Sequence, residues 1–507
     1  MRCKYRTAVL ITALVATACG TRGTVDGSGG QTERPGSTSG STSGTTESTP
    51  SDDGRGPIEW RDCGDQRCGS LGVPLDHFDS DSEMIEIALV MRPADDADSR
   101  VGAILLNPGG PGAPGLSMVE SLESAFPDDV LDRFDLVAWD PRGTGESTSV
   151  HCTDDLDGFF ATDKSPDSPA EERENVEQAK AFASACAAEH GDLLPYLSTT
   201  QTVEDMDAIR AALGDDGLTY LGFSYGTYLG ARYAETHPDR VRALVLDGPV
   251  DPSLDARTST TQQSIGFERA IGAFFDWCEG NDDCAFTPSN PRGAFERLME
   301  QIDAETLYAE VNGDERGLGP GEADLGVAVA LYSGDAAYEY LARALAEAAQ
   351  GDGSTLLEFS DLYAGRQPDG SYDGSMAAFY AIGCVDSPRS TVDEVRALAD
   401  QLERDAPFLG PSGVWLGLPC SYWPVPSDPA AEPHRIDVPT GTAILVTATD
   451  GDPATPIEWA RGLAEQLPAP LLVANSDQHT AFTAGDDCVT EAIIDFLVDP
   501  DRPVDEC

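Results

Sequence analysis

From residue 57 onward the chain alternates short apolar runs with longer amphipathic stretches. Met84 to Met91 switches between apolar and polar positions, the period-two signature of a strand with one covered face. Val101–Leu106, Phe134–Trp139, Leu218–Phe223, Val241–Leu246, Ala443–Ala448 and Pro470–Ala474 are instead apolar almost throughout, the mark of strands buried on both faces. Helical stretches lie between them, around Glu177–Glu189, Thr202–Leu213 and Tyr228–Glu235, while Thr153–Asn175 is polar and acidic. Buried strands alternating with helices predict an α/β fold built on a mainly parallel central sheet. Between Asp251 and about Pro439 the rhythm changes. Gln262–Cys278, Pro291–Ile302, Asp335–Ala349 and Val392–Leu402 read as helices, with no comparable strands. This predicts a mostly helical cap, residues 251–439, inserted into a sheet domain that comprises 57–250 and 440–507.

The first residues belong to neither part. Arg2, Lys4 and Arg6 precede an apolar run, Ala8–Val15, and the small residues Ala16-Thr17-Ala18 before Cys19. This is the layout of an export signal, too short to remain as a spanning helix. Val15-Ala16-Thr17-Ala18-Cys19-Gly20 resembles a bacterial lipobox, with Ala16 where Leu is usual. Residues 1–19 are then a lipoprotein signal and Cys19 the lipidated new N-terminus. Residues 20–56 are Gly, Ser and Thr with almost nothing apolar to bury, so they predict a flexible tether. The expected location is the extracellular face of the cell membrane, or the medium, with the membrane touched only through the anchor.

Cysteine usage fits that compartment. Apart from Cys3 and Cys19, ten cysteines remain, an even number in an exported chain, so disulfides are expected. Proximity suggests Cys63–Cys68, Cys152–Cys186, Cys278–Cys284, Cys384–Cys420 and Cys488–Cys507. Clustered Cys/His spacing for a metal is absent from the sequence, and no metal or organic cofactor is expected. A formal charge of −57 argues against nucleic acid and anionic headgroups as partners.

Gly222-Phe223-Ser224-Tyr225-Gly226 carries the chemistry. It joins a buried strand to a helix, the setting of a nucleophile elbow, where a tight turn holds a serine oxygen above the sheet edge. A serine hydroxyl needs a base and a group to orient that base. In elbow-bearing hydrolases the chain order is Ser, acid, His, which leaves three of six histidines. His237 ends the elbow helix, pointing away from the strand tips, and His434 lies in a Pro-rich stretch. His479 follows the last strand at the edge that carries Ser224, and is the expected base. The acid belongs after the preceding strand. Asp452 is favoured over Asp450 because Pro453 and Pro456 stiffen the turn and Thr455 can hold the carboxylate. An oxyanion needs two backbone N–H donors. Tyr225 supplies one. The other comes from the loop after Val101–Leu106, where Pro108 and Pro111 have no N–H, leaving Gly109, Gly110 or Gly112.

Gly109-Gly110-Pro111-Gly112, Asp140-Pro141-Arg142-Gly143-Thr144-Gly145-Glu146-Ser147 and Gly222-Phe223-Ser224-Tyr225-Gly226 together resemble the prolyl and tripeptidyl aminopeptidase branch of the α/β-hydrolases. Cys420-Ser421-Tyr422-Trp423-Pro424, Asp452-Pro453-Ala454-Thr455-Pro456 and Gln478-His479-Thr480 narrow the likeness to exported actinobacterial tripeptidyl aminopeptidases with a TAP-like C-terminal region. The resemblance spans roughly residues 58–507. It implies an α/β-hydrolase fold, a Ser224–Asp452–His479 triad, an oxyanion hole of Gly110 and Tyr225, and peptide substrates opened from a free N-terminus. Asn107-Pro108 departs from the His-Gly of many prolyl aminopeptidases, and Ala113-Pro114 from the usual Gly-Ser. Arg142 is expected to hold its loop rather than react. A free-amine substrate needs an acidic partner, for which the cap residue Asp386 is named. An envelope endoprotease or esterase would use the same triad; a catalytically silent binding protein would be expected to have lost part of it.

Overall fold

The computed structural model describes residues 57–287, 289–504 and 507. The signal with Cys19 and the tether lie outside the described residues. Along the chain run β1 (Glu59–Cys63), β2 (Gln66–Pro74), β3 (Met84–Arg92), β4 (Gly102–Asn107), β5 (Phe134–Trp139), β6 (Leu218–Phe223) and β7 (Val241–Asp247). A separate hairpin, β8 (Leu307–Val311) and β9 (Asp314–Leu318), is followed by β10 (Ile444–Thr449) and β11 (Leu471–Ala474). Nine of these strands form one sheet in the order β1-β2-β3-β5-β4-β6-β7-β10-β11. Pairings from β5 to β11 are parallel, and β1, β2 and β3 extend the sheet in antiparallel fashion.

The helices are α1 (Met118–Leu122), α2 (Asp128–Leu131), α3 (Asp157–Ala161), α4 (Pro169–His190), α5 (Thr199–Ala212), α6 (Tyr225–Thr236), α7 (Ala256–Gly280), α8 (Pro291–Ala304), α9 (Pro320–Tyr332), α10 (Tyr338–Ala348), α11 (Ser354–Ala364), α12 (Ser375–Val385), α13 (Val392–Asp405), α14 (Gly410–Leu416), α15 (Ile457–Gln466) and α16 (Asp487–Val498). None of the described helices is long and apolar enough to cross a membrane.

The central strands β4, β5, β6 and β10 are buried along their whole length, which is why they read as continuous apolar runs. Alternate side chains go to opposite faces. Leu105, Tyr220, Leu246 and Val446 pack with Val203, Ile209, Leu229 and Leu463 of α5, α6 and α15. Ile104, Leu221, Val245 and Leu445 pack with Met118, Val489, Ile493 and Phe496 of α1 and α16. Because they pair in parallel, β4, β5, β6, β7, β10 and β11 all end at the same sheet edge.

The cap draws on two insertions rather than one. Between β5 and α5, Phe159, Phe160 and Phe182 pack against Tyr380 and Trp423, and Ala179 of α4 packs against Leu398 and Leu402 of α13. Residues 150–197, expected with the sheet domain, thus share their core with the cap through aromatic side chains on both segments. The helix expected at Glu177–Glu189 begins already at Pro169, where Ser168 and Glu171 form a capping box. The β8–β9 hairpin corrects the expectation of a cap without strands. Disulfides join Cys63–Cys68, Cys152–Cys186, Cys278–Cys284, Cys384–Cys420 and Cys488–Cys507, the pairs that lie close in sequence.

Candidate active site

Ser224 stands between β6 and α6 with φ 54° and ψ −123°, a left-handed backbone that a non-glycine residue adopts only under constraint. Its neighbours supply that constraint. A Cβ at Gly222 would sit 2.6 Å from the Gly226 carbonyl oxygen, and one at Gly226 would sit 2.6 Å from Asn107 Oδ1. Ser224 N donates to Asp247 O (2.9 Å), and Thr227 N and Oγ1 both donate to Ser224 O (2.9 and 2.5 Å). The elbow is thereby clamped from both sides.

His479 lies in the loop after β11, almost fully buried, and meets Asp452 from the loop after β10. His479 Nδ1 is 2.9 and 2.8 Å from the two Asp452 oxygens. The carboxylate also accepts from Ala454 N (2.9 Å), Thr455 N (2.8 Å) and Thr455 Oγ1 (2.9 Å). Its orientation is fixed before it meets the imidazole. On the far side His479 Nε2 is buried without a hydrogen-bond partner. His479 and Ser224 line one cavity of about 270 Å³. His479 N donates to Tyr332 O (2.8 Å) and the two rings meet edge-on at 5.3 Å, so α9 of the cap steadies the base.

Asp450, the alternative acid, is exposed and accepts from Ser476 N at 3.1 Å. His237 pairs with Glu204 (3.1 Å), and His434 with Arg232 (2.8 Å) and Glu235 (3.2 Å). None of the three joins Ser224 in the cavity lining.

Among the loop glycines, Gly109 has its N–H engaged by Asn107 Oδ1 at 3.0 Å. Its φ of +94° and a Cβ position 2.5 Å from Phe223 O show how closely this loop presses on the elbow. A Cβ at Gly112 would strike the α12 backbone, and Gly110 and Gly112 both line the cavity beside Ser224. Tyr225, first in α6, has an N–H with no carbonyl four residues back to receive it. Of the two expected oxyanion donors, Gly110 lines the cavity with Ser224 and Tyr225 directly follows the nucleophile.

Three buried carboxylates position these parts. Asp140 accepts from Gly115 N (2.7 Å), Leu116 N (3.1 Å) and Glu146 N (2.7 Å), tying the end of the glycine loop to the turn after β5. Asp247 accepts from Thr447 Oγ1, Ala481 N and Phe482 N, each at 2.8 Å, and so ties β7 to the histidine loop. Burial raises the pKa of both above the usual carboxylate range, against the pull of these donors. Neither role was foreseen; the only signal was a lone Asp closing an apolar run. Asp205 is buried as well, but Arg142 holds it bidentately (2.7 and 2.7 Å) and His77 adds a third contact at 2.7 Å. Burial pushes its pKa up, and the Arg142 charge and these bonds pull it below the ordinary value. Arg142 also donates to Leu75 O and Tyr196 O, the loop-holding part expected of it.

Asp386 lies behind the elbow. Its carboxylate accepts from Thr199 N (2.9 Å), Thr199 Oγ1 (2.6 Å) and Tyr225 OH (3.2 Å), and it does not line the cavity. Burial raises its pKa to about 6.

A family model described as the alpha/beta hydrolase fold matches residues 102–482. The chain belongs to the α/β-hydrolase family. This α/β-hydrolase is 34% identical over 471 residues to serine protease Hip1 of Mycobacterium tuberculosis, covering 88% of this chain and 90% of that protein. It is 35% identical over 452 residues to carboxylesterase B of M. tuberculosis, covering 86% and 85%. To the tripeptidyl aminopeptidase of Streptomyces lividans it is 30% identical over 469 residues, covering 88% and 85%. It is a serine hydrolase with tripeptidyl-aminopeptidase-like relatives.

Proposed function

We propose that this protein is an exported serine peptidase that releases short peptides from substrates with a free N-terminus. The observation that carries the reading is the buried Asp452–His479 pair, whose unpartnered Nε2 shares a cavity with the strained Ser224. Ser224 Oγ attacks the scissile carbonyl carbon and His479 Nε2 takes its proton. Asp452 holds the Nδ1–H and stabilises the imidazolium. Gly110 and Tyr225 N–H groups receive the oxyanion. The imidazolium then protonates the leaving amine, and water, deprotonated by the same nitrogen, releases the acyl group from Ser224. The cap supports an exopeptidase, because α9, α11 and α12 wall the cavity opposite the nucleophile and limit how much chain fits. The relatives named as a serine protease and a tripeptidyl aminopeptidase support peptide over other acyl substrates. The five disulfides support an oxidising compartment. An esterase is the second reading, favoured by the apolar lining (Met118, Phe223, Leu362, Phe379) and the carboxylesterase B relative.

The test compares a tripeptide amide bearing a free N-terminus, its acetylated twin and a short-chain ester, with wild type and Ser224→Ala. Cleavage of the free peptide well above the other two, abolished in Ser224→Ala, is expected. Equal cleavage of free and acetylated peptides would refute the aminopeptidase reading, and activity persisting in Ser224→Ala would refute the triad.

A further inference from the structure

The cavity that holds Ser224 and His479 has apolar walls and one carboxylate among its described lining residues, that of Asp373. Asp373 sits just before α12, on the cap side, two residues from Ser375, whose carbonyl packs on Gly112 of the glycine loop. Its Oδ1 accepts from Ser375 N at 2.9 Å and its backbone N donates to Gly365 O at 3.0 Å. The loop that presents it is closed by Gln367 N donating to Ser371 O (2.7 Å) and by a bridge between Arg366 and Tyr372. Tyr372 OH donates to Asp157 Oδ1 at 2.6 Å, which pins the loop to the first cap insertion. The cation nearest in sequence, Arg366, is engaged by Asp157 (2.8 Å) and Asp314 (2.8 Å). Asp373 itself is exposed to the cavity's solvent. An anchored, accessible carboxylate, the sole charged side chain but for His479 among the described lining residues of a mostly apolar space, is a receptor for a cation. A primary ammonium entering such a space loses water and needs a charged acceptor in return.

We infer that Asp373 holds the α-ammonium group of the substrate, from the same cavity that Ser224 lines. This rests on the aminopeptidase reading above and moves the amine-binding part from Asp386 to Asp373. The three donors on Asp386 leave it a support for Tyr225 behind the elbow. The substrate class is then a short peptide with a free N-terminus and apolar side chains, matched to Met118, Phe223, Leu362 and Phe379.

The experiment is the ratio of kcat/KM for a free-amine tripeptide amide to that of its acetylated twin, measured in wild type, Asp373→Asn and Asp373→Lys. Taking a ratio within one protein sample cancels any loss of folded enzyme. Asp373→Asn is expected to reduce the ratio about 10- to 100-fold, the range of one charge-assisted hydrogen bond, chiefly through KM of the free peptide. Asp373→Lys is expected to gain activity on an N-succinyl tripeptide amide, a gain that misfolding does not produce. A wild-type ratio retained in Asp373→Asn, with no gain on the succinyl peptide, would overturn the inference while leaving the aminopeptidase reading intact. A wild type that shows no preference for the free amine would overturn that reading, and this inference with it.

Discussion

Asp450 and Asp452 stand two residues apart, yet only one meets the histidine. The difference lies in where β10 ends: Asp450 is exposed on the strand tip, and Asp452 is turned inward onto Thr455 and His479. Asp452→Asn is expected to lower kcat about 10⁴-fold, the scale at which a triad loses the correct imidazole tautomer. Asp450→Asn is expected to keep wild-type kcat. Steady-state kinetics on the free tripeptide amide decide it, and comparable losses in both variants would contradict the assignment. The preference for Asp452 was legible in the sequence through Pro453, Thr455 and Pro456. The oxyanion loop was legible only down to three glycines. Asn107 removes Gly109 by engaging its N–H, a side-chain contact that sequence spacing does not encode, and Gly110 and Gly112 both remain on the cavity. The second support for the base, Tyr332, was not legible at all, because it comes from the cap, far along the chain.

At the scale of elements, α9 carries the base's support and begins at a buried acid. Glu322 is 3% exposed, and its Oε2 accepts from Gly319 N at 2.9 Å. Burial raises its pKa from an ordinary 4.5 to about 7, more than that bond and Arg316 lower it. The folded state therefore favours the protonated form. Its stabilising contribution is complete below about pH 4.5 and is lost as pH rises through about 7, a change of about 3 kcal/mol. Thermal unfolding across pH 4–8 is expected to show wild type losing stability relative to Glu322→Gln over that window, since Gln keeps the cap bond without the charge. Parallel curves for the two proteins would refute it. The parallel strands of the sheet were legible almost to the residue, because burial on both faces leaves continuous apolar runs, whereas β1 and β2, mostly half-buried or exposed, leave none. Cap elements were less so. The β8–β9 turn is Asn312-Gly313, both at positive φ, a hairpin signal present in the sequence but set among helical segments. Ser168-Pro169-Ala170-Glu171 is likewise a helix start, a capping box with Pro at the first helical position, set in an acidic stretch that carries no apolar periodicity around it.

For the whole molecule, the cap is assembled from segments that meet only through tertiary contact, and disulfides cross within each. Cys384–Cys420 links α12, which follows Asp373, to the turn packed on α4. Replacing both cysteines by serine is expected to lower stability by about 4 kcal/mol, from the loop-closure entropy of a span this long. Comparing unfolding midpoints of the double variant and wild type checks this, and coincident midpoints would exclude a stabilising bridge. Chain order has a further consequence. Ser224 and its elbow precede the main cap insertion, whereas Asp452 and His479 follow it. During synthesis the nucleophile is therefore made long before its acid and base, and a chain interrupted anywhere in between carries an inert serine. The triad is thus complete only after the cap elements α9, α11 and α12 that wall its cavity have been made.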